Sequence, residues 1–310
     1  MSRVDEALRR AAGEAVESVG TETPVPISPS VAAAIDASEG AAAPPAQTLA
    51  TAPAPVDLGL PAVPEQTGGL LDRIDYRLAE KVVIDANISA ASREQYRRLA
   101  AILHDAQAAN GLKVVMIASA VAGEGKTLTA TNLAMTFSES YLKRVLLIDA
   151  DLRRPNLHQL FKVAAATGLS DGLTAAEGSK LIVRQVSPGL SLLPAGRPTQ
   201  DPMGALISDR MRRLIEEARD AFDWVIIDTP PFVLLPDAHL LARIADGVVV
   251  VVRAKSTPYA LVKRTVDAIG SDQLLGVVLN AARETDYPGY YHYDDYGSKR
   301  PESAGVPAIR

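Results

Sequence analysis

No cysteine occurs among the 310 residues, which rules out a disulfide framework, a thiolate zinc site and a cysteine-held iron–sulfur cluster. Its absence fits a reducing, cytoplasmic setting. Aromatic residues amount to only 5% of the chain, with one tryptophan, so any core has to be aliphatic. No apolar run reaches the roughly 18 residues a membrane helix needs. Even VVVVV at 248–252 lies between Asp246 and Arg253, so the chain is not expected to span a membrane by itself. The opening MSRVDEALRR has no apolar stretch of the signal-peptide kind. A basic surplus is missing too: the net charge is -5 and the pI near 5.5, which leaves a nucleic-acid partner without an electrostatic basis.

What is present is unevenly distributed. Residues 1–66 form an Ala/Pro-rich tail. Over 21–66 it runs through TETPVPISPS, AAAPPAQ and TAPAPVDLGLPAVPEQ without a periodic apolar face, the signature of a disordered linker. Ahead of this, Val4, Leu8, Ala12, Val16 and Val19 share one side of a possible helix. So short an isolated helix is marginal in water, and a fraying segment is the plainer reading beside a docking peptide. Residues 67–112 are a lead-in carrying a helix from Ser92. Residues 113–284 alternate apolar strands with helices. KVVMIAS, RVLLIDA, WVIIDT, GVVVVVRA and LLGVVLN are apolar on both faces, as a parallel sheet requires. Helices are expected over about 126–139, 208–221, 236–244 and 258–269, giving one doubly wound α/β domain.

After the first strand comes AVAGEGKTLTATNLA, which follows the phosphate-loop pattern G-x-x-x-x-G-K-[ST] except for Ala120 at the first glycine. Gly123 and Gly125 let backbone amides, including that of Glu124, turn toward phosphate oxygens. Lys126 supplies a point charge to the β and γ phosphates of ATP, and the Thr127 hydroxyl suits Mg²⁺. VLLIDADLRRP ends its strand on Asp149 and Asp151, and WVIIDTPP ends on Asp228. Ligands of open parallel sheets bind at the carboxyl ends of the strands, so these acids converge with the loop. Hard oxygen ligands of this kind suit magnesium.

The loop AGEGKT, the paired acids of VLLIDADLRRP and the sequence VIIDTPP together resemble the bacterial tyrosine kinases of capsule and exopolysaccharide export, within the wider class of partitioning and positioning ATPases. SREQYRRL, LPAGRPTQDPMGALISDRM and DGVVVVVRA before LLGVVLN extend the resemblance over about residues 89–297. The resemblance implies ATP and Mg²⁺ as cofactors. It gives Lys126 the transferring phosphate, Thr127 the metal, Asp149 and Asp151 the metal and the incoming hydroxyl with Asp149 nearest the acceptor proton, and Asp228 the metal through water. Asn280 resembles an adenine-contacting asparagine; it is equally a strand-ending turn residue.

The resemblance also gives a role to DYPGYYHYDDYG in the 285–310 tail, where Tyr287, Tyr290, Tyr291, Tyr293 and Tyr296 crowd a chain with only nine tyrosines. In the family such a tail is the substrate, phosphorylated in trans in a homo-oligomer; the alternative is a segment folded back as packing. A separate membrane-spanning activator or polysaccharide co-polymerase and a protein-tyrosine phosphatase are the implied partners, with recruitment to the inner face of the membrane. The family's E-x-x-R-x-x-R ring-assembly pattern is incomplete: Glu94 and Arg97 are present, but Ala100 stands at the third position, with Arg98 about 100° round the helix from Arg97. The chief alternative is an ATPase switch of the same fold. That class places a lysine early in the loop, where this chain has Val121. His104, His158 and His239 show no metal spacing, and Trp224 reads as packing.

Overall fold

The five long apolar runs become strands of one sheet, in which they satisfy their backbones against one another; four are buried on both faces, and LLGVVLN is half-buried at the edge. In a computed structural model, residues 58–59, 74–75, 80–85, 87–164, 167–175, 181–233 and 236–282 are described. The elements in chain order are β1 (Leu58–Gly59), α1 (Ala90–Asn110), β2 (Val114–Ser119), α2 (Lys126–Met135), β3 (Val145–Asp149) and α3 (Leu157–Leu160). They continue with α4 (Leu169–Thr174), β4 (Leu181–Ile182), β5 (Arg184–Gln185), β6 (Leu190–Leu193), α5 (Pro202–Ile207) and α6 (Asp209–Ala221). The chain then forms β7 (Trp224–Asp228), α7 (Pro236–Ala242), β8 (Gly247–Arg253), α8 (Tyr259–Ile269) and β9 (Leu274–Asn280).

The main sheet has the order β5-β6-β3-β7-β2-β8-β9 and is parallel except for the β5–β6 pair. After β2 the chain leaves a gap, lays β3 and β6 outward, and later returns β7 between β3 and β2. That reversal makes the switch point at which ligands of such sheets bind. The expected doubly wound α/β domain is therefore the observed one. Two aliphatic cores cover the two faces of the sheet; one centres on Met116, Ile148, Ile227 and Val250, the other on Ile117, Leu147, Ile226 and Val251. Residues adjacent in a strand thus belong to opposite cores, the period-2 geometry expected of strands. Trp224 is fully buried and stacks on Phe137 at 4.3 Å and 14°, so packing is its observed role.

The differences from expectation lie at edges and ends. The second expected helix runs only to Met135 and passes into a π-helical turn over Thr136–Ser140. There the Thr136 hydroxyl donates to the Asn132 carbonyl and competes with the regular ladder. Leu58–Gly59 falls inside the stretch read as linker, yet its backbone pairs in parallel with Leu181–Ile182. Lone sheet edges readily take up such an extended segment. The 1–19 helix lies outside the described residues, as do the remainder of the linker and the tyrosine tail. Among the described residues no helix is long and apolar enough to cross a membrane.

α1 starts at an Ser89 cap, whose hydroxyl accepts the Ser92 amide, and stops at Gly111 in the left-handed region, φ 71°. Glu94 and Arg97 are exposed on it, whereas Ala100 is fully buried against the core. A basic side chain at position 100 would be driven into that core, the physical reason the third charge is absent here. Glu94 instead meets Arg98 one turn on, at 3.4 Å.

Replacing Trp224 with alanine should lower the unfolding free energy by about 3–5 kcal/mol, as for other buried aromatics cut back to a cavity. Urea titration followed by far-UV circular dichroism measures it. A loss below about 1 kcal/mol would mean the stack on Phe137 contributes little beyond what the core can refill.

Candidate active site

The site begins with register. β3 and β7 run parallel with Asp149 opposite Asp228, and β2 lies on the other side of β7 with Ile117 opposite Asp228. Three strand ends are thereby brought level beneath the loop that leaves β2. Within that loop Gly123 has φ 84° and Gly125 φ 95°, a region other residues enter only with strain. Gly125 has a second reason to be glycine, because a Cβ there would collide with the Asn280 amide. The amides and the first turn of α2 then face one cleft of about 710 Å³, whose lining includes Gly123, Gly125, Lys126, Thr127, Asp151 and Arg154.

The Lys126 Nζ stands 3.4 Å from the Asp151 Oδ2, both side chains nearly buried. Asp149 sits deeper. Its Oδ2 accepts the Asn156 and Leu157 amides at 3.1 and 3.0 Å, and its Oδ1 accepts the Asp151 amide at 3.3 Å. Asp149 thus organises the turn after β3, and Asp151 is the carboxylate that reaches the cleft. Asp149, expected from the resemblance to stand nearest the acceptor proton, is not among the residues lining the cleft. Asp228 is 1% exposed and its Oδ1 has no hydrogen-bond partner.

Burial pushes the Asp149 carboxyl well above its ordinary range, and the neighbouring Asp228 charge adds to this. Burial likewise raises Asp228, to about 6, while Lys126 and the Thr127 hydroxyl pull it back down. An orphaned carboxylate oxygen beside a threonine hydroxyl and an aspartate is a fitting place for a divalent cation. Among the described residues no group of three or more His, Asp or Glu forms a closed metal cage. Magnesium takes one or two carboxylates and keeps waters and phosphate oxygens.

Glu124 does not face the cleft with its side chain. It is 2% exposed; its carboxylate accepts the Val121 amide at 2.7 Å and the Thr257 hydroxyl, and so braces the loop from behind. Asn280 braces it from the other side, its Nδ2 donating to the Glu124 carbonyl at 2.8 Å and its Oδ1 accepting the Ala281 amide at 2.9 Å. Thr257 escaped the sequence reading because nothing local marks it; it lies 133 positions from Glu124. Asn132 escaped it for the same reason. Fully buried on α2, it accepts the Val83 amide at 2.9 Å and donates to the Lys81 carbonyl at 3.0 Å. Arg93 on α1 closes the same strap, donating to the Val83 and Asp85 carbonyls. Arg153 and Asp237 were also missed, although the DLRRP sequence held the first of them in view.

Residues 112–271 match a family described as an AAA domain. A tyrosine-protein kinase of Bacillus subtilis (strain 168), YwqD, is 34% identical over 220 residues, which cover 70% of this chain and 92% of that protein. The chain belongs to the bacterial tyrosine-protein kinase family. The solved kinase domain of the Escherichia coli tyrosine kinase ETK superposes with a TM-score of 0.61 at 30% identity, covering 67% of this chain and 82% of that one. The succinoglycan biosynthesis transport protein ExoP of Rhizobium meliloti (strain 1021) is 34% identical over 230 residues, 72% of this chain but 29% of its own length.

The raised Asp228 sets a sign for pH. The folded carboxyl keeps its proton above the ordinary 3.8, so its favourable contribution is present at low pH and is lost as pH rises from about 4 through about 6. Asp228→Asn should therefore stabilise the nucleotide-free protein little near pH 4 and increasingly toward pH 7, by up to about 3 kcal/mol. Thermal midpoints across that range check it. A gain independent of pH would show that shape rather than charge is responsible.

Proposed function

We propose that this chain is an ATP-dependent protein-tyrosine autokinase that phosphorylates its own C-terminal tyrosine cluster in trans. The observation that carries the reading is the meeting of Lys126 and Asp151 at one cleft beneath a glycine loop, with the orphaned Asp228 buried behind Lys126 and Thr127. The sequence adds five tyrosines in its 285–310 tail, Tyr287, Tyr290, Tyr291, Tyr293 and Tyr296.

The division of labour follows from burial. The loop amides of Gly123, Glu124 and Gly125 and the Lys126 ammonium hold the β and γ phosphates of ATP, and Asn280 borders the base. Thr127 and Asp228, with Asp149 and Asp151 close by, hold Mg²⁺, which when bound supplies positive charge to the phosphate oxygens. Asp151 orients the tyrosine hydroxyl. The phenolic oxygen forms a bond to the γ phosphorus as the bond from that phosphorus to the ADP oxygen breaks, and the phenolic proton passes to the Asp151 carboxylate. Lys126 balances the charge that gathers on the departing oxygen. Asp149 acts one layer below, fixing the turn that presents Asp151.

Transfer in trans calls for a homo-oligomer, and Glu94 and Arg97 on the exposed face of α1 are the contacts we assign to it. Each phosphate adds about -1.5 to -2 at neutral pH, so repeated transfer to a tail already holding Asp294 and Asp295 drives the copies apart. A phosphatase resets the cycle. A membrane-spanning activator, or polysaccharide co-polymerase, recruits the chain to the inner face of the membrane and couples it to polysaccharide synthesis and export. The likeness to ExoP, a succinoglycan biosynthesis transport protein, supports that setting.

Dephosphorylated protein given Mg·ATP should gain phosphate-sized mass increments on peptides spanning Tyr287–Tyr296. Lys126→Met should reduce the rate about 100-fold or more, and changing all five tail tyrosines to phenylalanine should remove the increments. ATP hydrolysis with an unmodified tail would instead identify an ATPase switch.

A further inference from the structure

Beside the loop, the cleft carries two consecutive arginines whose chemistry the phosphoryl step leaves unused. Arg153 is held: its Nε and Nη2 donate to the two oxygens of Asp237 at 2.7 and 3.3 Å, and Asp237 is 1% exposed. Arg154 is not held. It is exposed on the cleft lining, and its guanidinium has no hydrogen-bond or ion-pair partner among the described residues. Its backbone amide, however, donates to the Asp151 Oδ1 at 3.0 Å. The free guanidinium is therefore tied by one residue's span to the carboxylate that orients the acceptor hydroxyl.

An acceptor tyrosine brings its neighbours with it. In an extended peptide successive residues are about 3.3 Å apart, so positions one or two away from the tyrosine fall within reach of an arginine fixed beside Asp151. The site's own charge makes that position matter. Asp75 and Asp151 lie on its lining, Asp149 and Asp228 are buried close to Asp151, and Asp201 lies close to Arg153. Without a cation at the rim, that field would repel an acidic peptide and favour a basic one. A guanidinium pairs with a carboxylate in a two-pronged geometry that an ammonium lacks.

We propose that Arg154, backed by the Arg153–Asp237 pair, selects acceptor tyrosines flanked by aspartate, so that acidic tyrosyl peptides are the preferred substrate class. The proposal rests on the kinase reading above. Applied to the chain's own tail, it sorts the five tyrosines. Tyr287 follows Asp286, Tyr293 precedes Asp294, and Tyr296 follows Asp295, whereas Tyr290 and Tyr291 sit in PGYYH without an adjacent acid. Tyr287, Tyr293 and Tyr296 are modified first and the Tyr290–Tyr291 pair last.

The test uses the full chain, dephosphorylated, with Mg·ATP and two synthetic tyrosine peptides that differ only in flanking Asp or Asn, alongside a site-resolved mass time course of the tail. Expected is a preference of about tenfold in kcat/KM for the Asp peptide, lost in Arg154→Glu and partly retained in Arg154→Lys. The preference should shrink as salt is raised from about 0.05 to about 0.5 M. Equal rates on the two peptides, or tail sites filling in an order indifferent to neighbouring acids, overturn the proposal. So does an Arg154→Glu variant that slows both peptides equally while raising KM for ATP, since the arginine then serves the nucleotide. If the wild-type chain transfers no phosphate to either peptide or to its tail, the kinase reading itself fails, a separate result. Unchanged thermal midpoints of the two variants establish that they fold.

Discussion

The parallel register of β3 and β7 is the constraint on which the rest depends. It sets Asp149 beside Asp228 in a layer that water does not reach, and burying two carboxylates there is costly unless cations offset them. Lys126 is the single side-chain cation on α2 placed to do so, and its partner at 3.4 Å is Asp151 rather than either deeper acid.

Around that centre, the phosphate loop is fixed from three directions. Behind it the Glu124 carboxylate ties the loop to the stretch between β8 and α8, where Thr257 is buried. On one side Asn280 ties it to the end of β9, a few residues ahead of the tyrosine tail. Along α2, Asn132 and then Arg93 tie it to the lead-in strap and to α1. Both the route from the N-terminal stretch and the root of the C-terminal tail thus converge on the loop.

The two arginines after Asp151 divide one task. One is spent on a buried aspartate and stiffens the turn; the other is left to meet whatever enters the cleft. That asymmetry is invisible in the sequence, where the two residues are identical neighbours. It arises because side chains one position apart on an irregular turn point to different surroundings.

Much was legible without coordinates. Period-2 burial on both faces of KVVMIAS, RVLLIDA and WVIIDT, the glycine loop and the strand-end acids are local patterns, since neighbouring residues alone decide strand character and loop chemistry. β6 and the short helices α3 to α5 were not read, because four to six residues carry too little periodicity to distinguish from a loop. What the sequence by itself determined was the doubly wound class, the glycine loop after the first strand and the acids at the neighbouring strand ends. Tertiary structure alone decided that Asp151 rather than Asp149 reaches the cleft, that Glu124 turns inward to Thr257, and that Ala100 faces the core. The Glu124–Thr257 contact joins residues 133 positions apart, and the others turn on how the chain packs rather than on its neighbours in sequence, so no local pattern encodes them.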